Sequence, residues 1–484
     1  MFDEMQRARV GGAESGDAGP VRSAYASVDA WIRKEGVDTL RAKQADAERL
    51  FRRTGVTFAV YGEGGDPERL IPFDLIPRVL TASEWRRIEA GVLQRARALN
   101  AFLADIYGAG EFIAAGKIPA ELVYGNAAYE PRLKGRTPPG GIYSHVVGVD
   151  LVRTSENEFF VLEDNCRTPS GVSYMLENRE IMLRLFPDLF DDERIEPVED
   201  YPLRLLETLG SVAPESAEGA PNVVVLTPGA LNSAFYEHSF LADQMGVDLV
   251  EGADLFCDGG VVWMRTTRGP QRVDVIYRRI DDEYLDPRFF RSDSVLGVPG
   301  LMECYINGAV ALVSAPGAGA ADDKAVYTYV PDMIRFFLGE EPLLPNVPTW
   351  RCAEPDALAH VLDNLKDLVV KEVHGSGGYG MLIGPASTGA ERAVFAERLR
   401  ADPAGYIAQP TLALSTCPAL VENGVAPRHV DLRPFALIGQ NTAQLTPGGL
   451  TRVALKEGSL VVNSSQGGGV KDTWVLSDDA TAGP

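Results

Sequence analysis

Residues 369–381 read VVKEVHGSGGYGM, and the order of lysine and glycines within them decides the fold. In the common nucleotide loop a lysine and a hydroxyl follow the glycines, at the start of a helix. Here Lys371 comes first. Gly375, Gly377 and Gly380 satisfy GxGxxG, but a dinucleotide fingerprint needs a helix immediately after the loop. The MLIGPAST that follows reads instead as a strand closed by Gly384-Pro385. The spacing therefore predicts strand, glycine loop, strand. Alternation puts Val369, Lys371 and Val373 on one face of the first strand, from which Lys371 can reach across a nucleotide. Gly375, Ser376, Gly377 and Gly378 would cover it from above, their backbone N–H groups approaching phosphate without Cβ obstruction. A hairpin with a solvated lysine fits the same residues, so the reading needs support elsewhere.

GVDLVRTSENEFFVLEDN at 148–165 supplies it: two β-rich runs around a short polar turn. With Glu156-Asn157 as a two-residue turn, Asp150 falls opposite Glu163. Asn165 shares that face and Asp164 points away. Two carboxylates and an amide oxygen form a hard-oxygen set suited to Mg²⁺, which leaves its remaining positions to water and substrate phosphates. A solvated face is the alternative, although directly opposed like charges destabilise a sheet unless a cation lies between them. Downstream, alternation in HVDLRPFALIG places Asp431 and Arg433 on one face, and GGLTRVAL carries Arg452. These are candidate phosphate ligands, with structural ion pairs as the other reading.

The bulk numbers agree with an enzyme that binds its own anions locally. The 484 residues exceed one ordinary core, and 45% apolar with 24% charged residues is a globular mixture. A net charge of −22 repels polyanions, so nucleic acid is not an expected partner. The five cysteines are scattered without CxxC spacing, which fits a reducing compartment rather than a disulfide framework. The first residues lack an apolar leader and no stretch approaches the ~18 apolar residues of a membrane span, so no membrane association and a cytoplasmic location are expected.

Along the chain, residues 1–22 and the final eight are expected to be loose. In the 23–120 region Trp85, Ile88, Val92, Leu99, Phe102, Leu103 and Ile106 recur at helical spacing behind a Ser83 cap. VVVLTPG, NSAFYEHSFLADQMG and VDLVEGADL give the strand–helix–strand rhythm of a Rossmann-like layer.

Taken together, these residues resemble the circularly permuted ATP-grasp family related to the synthetase half of glutathionylspermidine synthetase. VLEDNCRTPSGVSYMLENR, YRRIDDEYLDP, GAGAADDKAVYTYVPDM and GGLTRVAL carry the resemblance. It implies an α/β (α+β) fold in which the metal-ligand strands precede the flap, the reverse of the ordinary order. The implied organisation is a disordered tail at 1–22, a mainly helical region at 23–120, the metal-ligand part of the large lobe at 121–210, an inserted Rossmann-like pre-ATP-grasp domain at 211–320, and a connector helix, small lobe and return to the large lobe at 321–476. The implied cofactors are ATP and Mg²⁺, with Asp150, Glu163 and Asn165 on the metal. Lys324, Lys371 and Arg433 are expected at phosphate and Gln409 at the adenine hinge.

The implied activity is an ATP-dependent carboxylate–amine ligase working through an acyl phosphate, its partners a small-molecule or peptide carboxylate and an amine. Arg433, Arg452 and Arg167 are the expected catalytic cations, and Arg278, Arg279 and Ser170 the expected substrate contacts, with Arg278 or Arg279 paired to Asp281 or Asp282 as the equal alternative. A non-catalytic ATP-binding subunit and a Rossmann NAD(P) oxidoreductase are the alternatives.

Overall fold

The structure, a computed structural model, describes residues 2–6, 19–59, 68–192, 194–375, 380–462 and 467–478. At its centre the strands Val146–Ser155 and Glu158–Asn165 pair antiparallel across the two-residue turn at 156–157. Gly148, Val149 and Asp150 face Asn165, Asp164 and Glu163, the pairing that turn length and alternation predict. The register slips between Asp150 and Leu151 and again between Arg153 and Ser155. The two slips cancel, and the bulge nearer the site re-aims Glu163 locally.

This hairpin lies within a nine-stranded sheet. Its path runs from Ala443–Leu445 through Phe435–Ile438, Val146–Ser155, Gly424–Arg433, Leu450–Val453 and Gly469–Val475 to Phe73–Leu80. All pairs on this path are antiparallel except the last. The region expected to be mainly helical thus contributes a strand, Phe73–Leu80, buried at all eight positions. Pro77, which has no N–H to give a ladder, falls at the register shift against the 469–475 strand. The same region does supply long helices at Ala26–Thr54 and Ala82–Tyr107. The second starts two residues before the expected cap: Thr81 and Glu84 form a reciprocal capping box.

Residues 2–6 and 19–22, expected in a loose tail, are docked. Glu4 is fully buried, its carboxylate receiving Arg78 Nη2 at 2.6 Å and Ser415 Oγ at 2.6 Å. Burial pushes its carboxyl up, but Arg78 and Arg153 overcome this and hold it at about 2. Two buried guanidiniums need an anion, which is why this segment is held.

A four-stranded parallel sheet, ordered Ala311–Val313, Val275–Arg278, Val223–Leu226 and Asp248–Val250, forms the Rossmann-like layer. A separate antiparallel sheet of Trp350–Arg351, Tyr406–Pro410, Leu368–Glu372 and Leu382–Ile383 forms a small lobe. Its core contains Val361, Leu365, Val370 and Leu399. Among the described residues no helix is long and apolar enough to cross a membrane.

Candidate active site

Lys371 stands on the 368–372 strand of the small lobe, whose partners run antiparallel on both sides. Val370 points into the lobe's core while Val369 and Lys371 line a slot facing the nine-stranded sheet. Past the glycines the chain returns as strand, with Val369 opposite Ile383. No helix follows the loop, so the dinucleotide-binding reading fails on topology. Ser376, Gly377 and Gly378 lie outside the described residues; Gly375 borders the slot.

The slot has an apolar end formed by Val152, Leu162, Val369, Ile383, Leu414 and Leu460. At its polar end stand Lys324, Lys371, Asp150, Glu163, Asp431 and Arg452. Lys371 Nζ donates to Gln409 Oε1 at 2.9 Å, and Gln409 Nε2 donates to Thr349 Oγ1 at 3.1 Å. Burial pulls Lys371 below the ordinary lysine range, opposed by Glu163 and reinforced by Lys324. Lys324 donates to the Gly375 carbonyl and stands 3.9 Å from Glu163. The two expected lysines therefore both border the slot, Lys324 with its backbone N–H bonded to Val373 just beyond the Lys371 strand.

Asp150 is fully enclosed. Arg433 grips both its oxygens, Nη2 to Oδ2 at 2.7 Å, and Arg452 Nη2 reaches Oδ2 at 2.7 Å. Burial raises its carboxyl, but these guanidiniums outweigh that and hold it well below the usual range. Arg452 is also bound by Asp431, which burial keeps above its ordinary value despite Arg452. The result is an alternating ladder of Asp431, Arg452, Asp150, Arg433 and Glu163, with Arg433 3.6 Å from Glu163.

Of the expected metal set, Asp150 borders the slot, Asn165 borders a second cavity and Glu163 borders both. Asp150 and Glu163 stand opposite each other across the strand pair, with Arg433 against both. A carboxylate offers about four lone-pair sites, so Asp150 can accept a cation beside its three guanidinium bonds. Asn165 borders that second cavity, its Nδ2 donating to Gly148 at 3.3 Å and leaving its oxygen for a ligand. Among the described residues no three His, Cys, Asp or Glu side chains could hold a metal ion. Asp150, Glu163 and Asn165 offer hard oxygen donors, a set whose chemistry fits Mg²⁺ better than a softer metal.

Asp164, on the opposite face, is held by Arg95 at 2.6 and 2.7 Å, both side chains about 1% exposed.

Glu163, Lys324, Gly375 and Arg452 also border the second cavity, of about 650 Å³, within the range of small-molecule sites. Arg167 enters it, bridging Asp322 at 3.1 Å and Asp281 at 3.2 Å. Ser170 lines it, as do Asp282, Glu283 and Asp323. The sequence names Asp281 and Asp282 only as ion-pair partners of Arg278 or Arg279, which holds for Asp282, and not as cavity lining, although the DD pairs of YRRIDDEY and ADDKA beside basic residues carry the signal.

Arg278 and Arg279, expected to touch substrate, lie behind the wall. Arg278 is fully buried, donating to Ser314 O at 2.7 Å and Ile280 O at 2.8 Å and paired with Asp282. Arg279 binds Glu237 at 2.9 Å and Ser170 Oγ at 2.7 Å. Apart from Arg279 Nε, which is buried without a hydrogen-bond partner among the described residues, the donors named here are directed at protein oxygens within the wall.

A model of the circularly permuted ATP-grasp type 2 family matches residues 77–454. An uncharacterized protein of Synechocystis sp. is 53% identical over 446 residues, 92% of each chain. A Frankia alni protein that bears the name "Putative glutamate--cysteine ligase 2-3" is 41% identical over 460 residues, 94% of this chain and 53% of that protein; the chain thus spans about half that relative's length. The solved structure of a glutathione synthetase-like effector from Globodera pallida matches with a TM-score of 0.55 at 11% identity, covering 91% of this chain and 98% of that one. This last likeness is one of fold.

Proposed function

The chain belongs to the circularly permuted ATP-grasp type 2 family, and from that membership and the adjoining cavities we propose an ATP-dependent ligase that forms an amide between a carboxylate and an amine. The observation that carries the reading is the shared border. A slot with apolar residues and a set of paired cations and carboxylates shares Glu163, Lys324 and Arg452 with a second cavity large enough for another substrate. The name of the Frankia relative supports a carbon–nitrogen ligase in general terms, and the glutamate and cysteine of that name are not assigned to this chain.

In this reading adenine lies among Val369, Ile383 and Leu414, with Gln409 at its polar edge. Lys371 and Lys324 receive the phosphates, and Arg433 and Arg452 neutralise charge that develops as the γ-phosphoryl moves to the substrate carboxylate. The resulting acyl phosphate is captured by the amine. Asp150, Glu163 and Asn165 would hold Mg²⁺, which when bound draws charge from phosphate oxygens. Arg167 orients the carboxylate by a two-pronged contact, for which it must exchange Asp281 or Asp322.

The test is ADP release from ATP over pooled carboxylates and amines, followed by mass spectrometry of the product. Amide formation coupled to ADP is expected. ATP binding with no turnover on any pool, in a protein whose Lys371→Ala and Lys324→Ala variants bind ATP as tightly as the parent, would sink the assignment.

A further inference from the structure

Five cysteines are scattered through the sequence, yet two of them meet in the Rossmann-like unit. Cys257 stands on the Leu255–Asp258 strand and Cys304 on the Leu301–Ile306 helix. The helix packs on the strand, and Cys304 follows Gly300 by one turn on the same helix face, where a Cβ at Gly300 would stand 3.9 Å from Cys257 Sγ. At the helix start Gly300, at φ +91°, offers no side chain, and a Cβ there would stand 3.4 Å from both Cys257 Cβ and Arg288 Nη1. The first turn is pinned from below, because Asp286 accepts from the N–H groups of Gly300 at 3.1 Å and Met302 at 3.0 Å. Cys304 is buried in the main core and Cys257 is half-buried at its margin. A small oxidant therefore has a route to one sulfur, and the other is held beside it.

We propose that Cys257 and Cys304 are a dithiol modification site that a hydroperoxide converts to an intramolecular disulfide. In the step, one thiolate attacks a peroxide oxygen, an S–O bond forms as the O–O bond breaks, and the departing oxygen leaves as water or alcohol. The second thiolate attacks that sulfur, the S–S bond forms, and hydroxide leaves to take up a proton. Two thiols and one hydroperoxide thus give one disulfide, one water and one further water or alcohol, with the sulfur pair oxidised by the two electrons the peroxide gains. The interaction with Cys257 holds the Cys304 thiol below its ordinary range, while Cys304 and burial push Cys257 above its own, so the thiolate the chemistry needs forms at Cys304. The link would tie the three-stranded 255–272 meander to the helix anchored by Asp286, close in sequence to Asp281, Asp282 and Glu283 on the cavity wall.

The other cysteines make the outcome readable. Cys166, Cys352 and Cys417 are buried, and Cys417 contacts Tyr25 Oη at 3.5 Å. The experiment treats the reduced full-length chain with hydrogen peroxide and follows free thiols and tryptic peptides by mass spectrometry. Expected are the loss of two thiols together, a Cys257–Cys304 cross-linked peptide within one chain, and recovery by dithiothreitol. Cys257→Ser, at the half-buried position, should keep the fold and abolish the link; Cys304→Ser should do the same from the buried side. Thiols lost singly as sulfinic acid, a link joining two chains, or a link that survives in Cys257→Ser would overturn the proposal.

Discussion

At positions 163 and 164 two carboxyl side chains leave one strand on opposite faces, and different partners hold them. Glu163 borders the cleft, whereas Asp164 is sealed against Arg95. Glu163→Gln should leave stability within about 0.5 kcal/mol and abolish Mg²⁺-dependent ADP formation. Asp164→Asn should spare the cation site but cost about 3 kcal/mol, because it leaves a buried guanidinium undercompensated. Urea unfolding and Mg²⁺ titration of both variants separate the two effects, and a stable but cation-blind Asp164→Asn would mean the faces are exchanged. Alternation made this face assignment legible in sequence. The Arg95 partner was not, because it arrives from a helix 69 residues upstream. Arg278 and Arg279 were misread for the same reason: a string shows basic residues but not the carbonyls and Glu237 that absorb them. His145 gives a second prediction at this scale. It is buried, neither ring nitrogen has a partner among the described residues, and burial, with Arg278, lowers its pKa from 6.5 to about 3. The unfolded chain protonates this ring below about 6.5 and the folded chain does not, so its contribution is intact above 6.5 and is lost as pH falls toward 3. His145→Met should remove about 1.4 kcal/mol per pH unit from the stability slope between pH 6 and 4.5, read by urea unfolding across that range. An unchanged slope would show that the ring titrates in the folded state.

The Ala82–Tyr107 helix shows how local chemistry fixes an element and how tertiary contacts then reuse it. Thr81 Oγ1 accepts from Glu84 N–H at 3.2 Å, and Glu84 accepts from Thr81 N–H at 2.9 Å. Glu84 also pairs with Arg22 at 2.7 Å. Thr81→Ala should cost about 1 kcal/mol in denaturant unfolding; a change below ~0.3 kcal/mol would mean the Glu84 ion pairs alone hold the helix start. The helix itself was legible from its apolar spacing, but its cap is Thr81 and not the expected Ser83, because the preference for a hydroxyl at the cap does not by itself choose between the two. Phe73–Leu80 was harder to read, since a strand buried on both faces has no alternation to show. The 368–372 strand is the opposite case, with one face in the small-lobe core and one on the slot. Val370→Ala should destabilise the protein by roughly 2 kcal/mol through lost burial and leave ATP affinity alone. Lys371→Ala should weaken ATP by roughly tenfold, the worth of one charge-assisted contact, with little effect on stability. Calorimetric titration and unfolding on the two variants test the alternation directly, and the reverse pattern would refute it.

Across the whole molecule the slot draws its walls from two bodies with separate cores. Val369, Lys371, Ile383 and Gln409 come from the small lobe, and Asp150, Val152, Leu162 and Arg452 from the nine-stranded sheet. The permuted order was legible because the acidic hairpin and the lysine strand are both local patterns. The adjacency of the slot to an acid-lined cavity was not, since it depends on how the 281–283 and 322–323 segments come together in space. A ligand that touches both walls should pull the lobes toward each other. It also adds stability by mass action, about 2.7 kcal/mol at a concentration 100 times its Kd. We expect a non-hydrolysable ATP analogue with Mg²⁺ to raise the melting temperature and to lower the radius of gyration in small-angle X-ray scattering. In Glu163→Gln the analogue should still bind through Lys324 and Lys371, but the further increment from Mg²⁺ should vanish, because the carboxylate nearest both lysines has gone. The combination separates three physical cases. A melting shift with no compaction places the nucleotide on one wall only, a Mg²⁺ increment that persists in Glu163→Gln places the cation elsewhere, and the absence of any shift with ATP removes the nucleotide from the slot.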